Sequence, residues 1–190
     1  MFSGKISINI NELGFSQIYL SSKKIENVNK WFNKSLNNFE PIPVRDFKGN
    51  GKLILTDGHT RSYIAWKSGI EEVPAIYDKD EKLVTNEISN EMYLNCIRWC
   101  ERLKILRIED FSERILDENR YKELWINRCL KMQNLVLYLK NNKTKNNIIN
   151  ETIEELKFMD IYVYGISENL NTLFCENSFG ELLEIENRSR

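Results

Sequence analysis

The run Asp57-Gly58-His59-Thr60-Arg61 gathers the side chains in this chain whose types and spacing could do chemistry. The pattern around it predicts a strand over Lys52 to Thr56, a sharp turn at Asp57-Gly58, and a helix over Thr60 to Ser68 closed by Gly69. Gly58 lets the backbone turn tightly or lets a ligand approach. The first turn of a helix leaves N–H groups unpaired, and the helix dipole favours negative charge there. Arg61 adds a planar fork suited to two phosphate oxygens, while His59 and Thr60 add donors. Together these make a phosphate-binding helix N-terminus. The bland alternative is an ordinary strand-turn-helix with Asp57 as the N-cap and Arg61 on the surface.

His59 is the only histidine, so any mechanism that needs two is excluded. In a phosphoryl reaction Gly58, His59, Thr60 and Arg61 would hold phosphates, and Arg61 would counter charge in the transition state. Asp57 would bind Mg²⁺ or accept a proton. His59, titrating near neutrality, would serve as acid, base or phosphate donor. Asp57 and His59 are therefore the candidate catalytic residues.

Other constellations have milder readings. Cys96 and Cys100 are spaced i, i+4 and could share a metal face with Cys129, but no fourth soft ligand lies nearby, so a helical core is expected and no metal site. Asp78, Asp80 and Glu81 read as a solvated loop, with a Mg²⁺ site as the alternative. Trp99 and Trp125, beside Tyr93 and Tyr121, could stack on a base, but core or interface is the commoner use. Lys23 and Lys24 open a helix where the dipole disfavours cations. They are either solvated or meet a bound anion.

The elements that must position these residues follow from punctuation and periodicity. Lys5 to Ile10 alternates as a strand, and Ser21 or Ser22 can cap a helix whose stripe is Ile25, Val28, Phe32 and Leu36. Pro41 to Phe47 is β-prone, Lys48-Gly49-Asn50-Gly51 is hairpin-like, and Val73 to Tyr77 is a strand. No glycine occurs between Gly69 and Gly165, and the middle reads as helices over Glu87 to Leu103, Asp110 to Leu116, and Asp117 to about Lys140. The polar run Asn141 to Asn150 reads as a linker. Ile161 to Ile166, Thr172 to Glu176 and Leu182 to Glu186 form a three-stranded meander.

The whole has 190 residues, 27 basic and 28 acidic, with 42% hydrophobic content, enough for a core. No apolar run approaches the roughly 20 residues of a bilayer crossing. Met1 to Ile10 has no secretory signature, so a reducing cytoplasm is expected. Near-zero net charge argues against coating DNA or membrane by bulk charge. The charge is uneven: residues 1–80 carry +2, 81–150 carry +3, and 151–190 carry −6. The acidic end reads as a meander with a solvated face, or as a cover for a basic one.

The stretch LILTDGHTRSYIAWKSG, with Ala65 and Gly69 after the turn, resembles the ParB/sulfiredoxin superfamily. FSQIYLSSKKIENVNKWF and PIPV before it, and EEVPAIYD after it, extend the likeness over residues 6–80. In that superfamily the Gly-x-x-Arg turn binds nucleotide phosphates, which here implies Gly58, His59, Thr60 and Arg61. The resemblance implies a nucleotide such as ATP, ADP or CTP, with Mg²⁺ as its companion. Sulfiredoxins place a catalytic cysteine inside the turn, where this chain has none. ParB clamps use a helix-turn-helix and a basic face, and +3 over 81–150 is weak for that, so DNA is not favoured. The superfamily's free serine kinases carry an acid just before the first helix, where this chain has Ser16 and Gln17. Glu12, Glu40 and Asp57 are the nearest acids.

The expectation is an α+β protein: a ParB/sulfiredoxin-like domain over 1–82, a helical region over 83–143, a linker over 144–152 and an acidic β-meander over 153–190. Its function would be nucleotide or phosphate binding, with phosphoryl transfer or phosphate-ester hydrolysis. The alternative is a non-enzymatic regulatory or DNA-maintenance module that uses a nucleotide as a switch.

Overall fold

A computed structural model describes residues 6–47, 49, 51–80, 86–142 and 147–186. The fold is α+β. Contacts divide the chain into two compact units, Met1–Lys122 and Glu123–Arg190.

In the first unit, β1 (Ile6–Asn9) pairs antiparallel with β5 (Glu72–Tyr77), β5 runs parallel to β3 (Ile42–Arg45), and β3 pairs antiparallel with β4 (Ile54–Leu55). The inward positions Ile8, Ile42, Val44, Val73 and Ala75 are buried, as a period of two requires. After β1 a single 3₁₀ turn, Ile10–Glu12, leads to Gly14, which exchanges backbone hydrogen bonds with Leu53 and Leu55. A second, two-stranded parallel pair joins β2 (Leu20–Ser21) to β6 (Ile115–Leu116). Between them lie α1 (Ser22–Asn29), α2 (His59–Lys67) and α3 (Glu87–Arg102).

Several sequence expectations are corrected here. Ser21 does cap α1, accepting from Lys24 N, but the helix ends at Asn29 rather than continuing to Leu36. Asparagines at 27, 29 and 33 compete for the backbone, and the Asn33 side chain accepts the N–H of Ser35. Asp110 to Leu116 is not one helix. It is a 3₁₀ segment, Ile108–Glu113, followed by β6. Asp117 caps α4 (Glu118–Tyr121), and a π turn, Lys122–Ile126, precedes α5 (Asn127–Asn142) where one uninterrupted helix was expected. Lys5, Lys48, Asn50 and Glu81 fall outside the described residues, as do 143–146 of the expected linker.

The second unit packs α5 and α6 (Ile148–Phe158) on an antiparallel meander, β7 (Tyr162–Ile166), β8 (Thr172–Glu176) and β9 (Leu182–Glu186). Its core joins Leu135 and Tyr138 of α5, Ile149 and Leu156 of α6, and Val163 and Leu173 of the sheet. Much of the expected linker 144–152 is thus helix, from Ile148 onward. Its asparagines cap rather than loosen. Asn147 accepts from Asn150 N and from the Tyr138 hydroxyl at 2.8 Å, while the Asn150 amide donates to Asn142 O at 3.1 Å. The strands of the meander fall where periodicity puts them. Arg128 and Glu176 form a buried pair at 2.8 Å beneath the Tyr164 ring, whose centroid lies 4.2 Å from the guanidinium.

Candidate functional site

All five residues of the DGHTR turn line one open cleft of about 230 Å³. Strand β4 delivers the chain to the turn, and Gly58 makes it with a left-handed backbone, φ +86°. No side chain caps α2, so the expected alternative with Asp57 as N-cap does not apply. The N–H groups of the first turn are left to a ligand or to water.

Arg61 folds back over the turn. A Cβ at position 58 would come within 2.8 Å of its Nε and 3.0 Å of its Cζ, so glycine is needed for space as well as for φ. The Arg61 side chain is 17% exposed, and its Nε is buried with no hydrogen-bond partner. Its Nη2 lies 3.8 Å from Asp57 Oδ2, a loose contact with a carboxylate that is itself largely exposed. A buried guanidinium donor left unpaired is costly, and an incoming oxyanion would satisfy it.

His59 has a different place from the one its chemistry suggested. It is 4% exposed, and its Nε2 accepts the backbone N–H of Ser16 at 3.3 Å. The rings of Phe15 and Phe111 flank it at 6.3 and 6.2 Å. Burial pushes its pKa down to about 3, with the Lys24 and Arg61 charges assisting and Asp57 opposing. His59 is a neutral imidazole that clamps the Ser16 backbone to the turn. Use of Nε2 as a proton shuttle would break that clamp. Ser16 is anchored a second time, through its hydroxyl to Leu55 O at 2.7 Å. Thr60 is nearly buried beside it.

The opposite wall comes from α1 and the segment before it: Gln17, Lys24, Asn27, Val28 and Trp31. Lys24 reaches the cleft over the Tyr121 ring, 5.4 Å from its centroid. Lys23 points elsewhere and pairs with Glu118 at 2.8 Å. Of the two sequence options for this pair, Lys23 takes the solvated one, and Lys24 stands with Arg61 across the site. Gln17 also lines the cleft and donates to Tyr19 O and the Tyr121 hydroxyl. Asp57 is the one acid among the lining residues, and Glu12 and Glu40 are exposed outside it. Two cations and a helix N-terminus against one exposed carboxylate make an anion-favouring cleft.

Trp31 and Asn27 line the cleft without any expectation from the sequence, and Val28, expected only in the apolar stripe of α1, lines it with them. Their signal was present: Lys24, Asn27 or Val28, and Trp31 share one helical face by spacing.

The other candidates disperse. Trp99 is fully buried and Trp125 is 8% exposed, so neither presents a face for a base. Asp78 accepts the Thr56 hydroxyl at 2.8 Å and the Asp80 N–H at 3.0 Å, and Arg45 donates to the carbonyls of Asp78 and Asp80. These contacts make a closed turn. Among the described residues no group of three or more His, Cys, Asp or Glu side chains is arranged to hold a metal ion. No described helix is long and apolar enough to cross a membrane.

No protein-family model matches the chain. No curated protein matches it either. Among solved structures it is similar to protein Atu1540 from Agrobacterium tumefaciens, at 21% identity and a TM-score of 0.34. The match covers 46% of this chain and 48% of that one, about half of each.

Proposed function

We propose that this protein binds a nucleotide or other phosphate ligand at the DGHTR turn, as the resemblance to the ParB/sulfiredoxin superfamily implies. The observation that carries the reading is the uncapped N-terminus of α2 with the buried, unpartnered Arg61 Nε folded over Gly58. Gly58, Thr60 and Arg61 bind the phosphates, the helix N–H groups meet the oxygens, and Lys24 closes the charge from the other wall. His59 belongs to this set through position, holding Ser16 and Gln17 against the turn. Asp57 fits a Mg²⁺ ion of the kind that takes one carboxylate and completes its shell with phosphate oxygens and water. It is also the cleft carboxylate placed to accept a proton if phosphoryl transfer or phosphate-ester hydrolysis takes place.

A second reading, a module that uses the nucleotide as a switch without turnover, is favoured by one observation. Burial keeps His59, the side chain that ordinarily titrates near neutral pH, in its neutral form.

Isothermal titration with ATP, ADP, CTP and pyrophosphate, with and without Mg²⁺, tests the binding. Arg61→Ala should weaken it by about 10-fold or more, as expected for a charge-assisted bidentate contact of ~1.5–3 kcal/mol. Unchanged affinity in that variant refutes the phosphate assignment. A turnover assay on the wild-type chain separates the two readings.

A further inference from the structure

We propose that Trp31 is the platform on which the base of the bound nucleotide stacks, a proposal that rests on the phosphate reading above. The ring lies on the same cleft as Gly58 and Arg61 and is 41% exposed, although tryptophan is usually well buried. It is not a loose surface residue. The backbone N–H of Trp31 bonds to Val28 O at 3.2 Å, which ties it to the last turn of α1 just past the helix end. Its ring packs edge-on against Phe32 at 6.4 Å, and Phe32 in turn against the buried Phe39 at 6.4 Å. The indole is therefore held in place from behind while part of it remains open to the cleft.

The size of the cleft points the same way. About 230 Å³ lies below the roughly 300–1,000 Å³ that enclose a drug-sized ligand. Phosphates seated at the α2 N-terminus would fill the polar end, and the base would be left at the rim. A rim aromatic gives a base affinity without enclosing it, and does so for any base, because every base has a π face. Lys24 and Arg61 serve the phosphates, and no other large aromatic ring lines the cleft among the described residues.

The test compares ADP and CDP with pyrophosphate on the full chain, in wild type, Trp31→Ala and Trp31→Phe. The readout is the ratio of nucleotide to pyrophosphate affinity, in which the phosphate contacts cancel. Stacking predicts a ratio of about 5- to 150-fold in wild type. It should fall to near one in Trp31→Ala, with pyrophosphate affinity unchanged, and be largely kept in Trp31→Phe. Should the alanine variant fold poorly, Trp31→Leu, apolar but without a π face, takes its place with the same expectation. A ratio unchanged by loss of the ring, or already near one in wild type with both ligands bound, overturns the platform and leaves the phosphate reading standing. Failure of wild type to bind either ligand overturns both.

Discussion

Replacing His59 by glutamine should change how the stability of this chain depends on pH. The buried imidazole has a pKa of about 3 against an ordinary value of 6.5. Between those values the unfolded chain binds a proton that the folded chain refuses, so stability rises with pH through this window. The contribution is whole above 6.5 and is lost progressively as the pH falls toward about 3. At pH ~5.5 the unfolded imidazole is mostly protonated and the penalty is about 1.4 kcal/mol, against about 0.2 at pH ~7. Wild type should therefore lose about 1.2 kcal/mol more than His59→Gln between those two conditions. Glutamine can still accept from Ser16 N–H but does not titrate. It also packs less well between Phe15 and Phe111, so the variant starts from a lower baseline. For that reason the difference in slope decides, not the absolute stability. Urea unfolding followed by circular dichroism at both pH values measures it. Equal losses in the two proteins would refute the buried, neutral imidazole and return His59 to the list of proton carriers.

Gly58→Ala should cost about 1–2 kcal/mol for a positive φ and should also displace Arg61, so it lowers the urea midpoint and abolishes pyrophosphate binding together. Glu176→Gln removes the carboxylate of the buried ion pair with Arg128 in the second unit and should lower stability by about 3 kcal/mol, read as a drop in the urea midpoint. Burial pushes the Cys100 and Cys175 thiols up to about 12 and about 11, and Cys96 is buried with them. Half-buried Cys129 should therefore react first with a thiol reagent in the native state, and Cys129→Ser should remove that fast phase.

Local signals carried the regular elements well. Alternation at Ile6 and Ile8, the turn before α2 and the three strands of the meander all depend on near neighbours, and the structure has them where period and turn chemistry put them. What stayed hidden depends on distant partners. The strands β2 and β6 are two residues each and exist only by pairing with one another. The asparagine run around α6 looks like solvent-loving linker until the Tyr138 hydroxyl donates to Asn147 and the Asn142 carbonyl accepts from Asn150. Charge behaved likewise. Residues 123–150 carry five basic groups and one acidic group, and they share a unit with the acidic 151–190. The contrast between a basic body and an acidic tail is therefore largely internal to one unit. In the cleft, the turn's residue types were readable, but the roles were not. Burial decides that His59 holds rather than shuttles, and Trp31 lines the cleft from just beyond the end of α1.

The short pairing of β2 with β6 also sets the order in which the site can be made. It joins Leu20 to Ile115, and its neighbours tie Gln17 to Tyr121 and Lys23 to Glu118, contacts spanning 104 and 95 residues. During synthesis the turn at Gly58 can form as soon as its helix is complete. The contacts that pin the wall bearing Gln17 and Lys24 to Glu118 and Tyr121 must wait for the chain to extend past Tyr121. Closing so long a loop is slow, and the cleft should be among the last parts of the first unit to take shape. A fragment ending near residue 82 would carry every residue of the DGHTR turn and still lack the far strand and helix that pair with its opposite side.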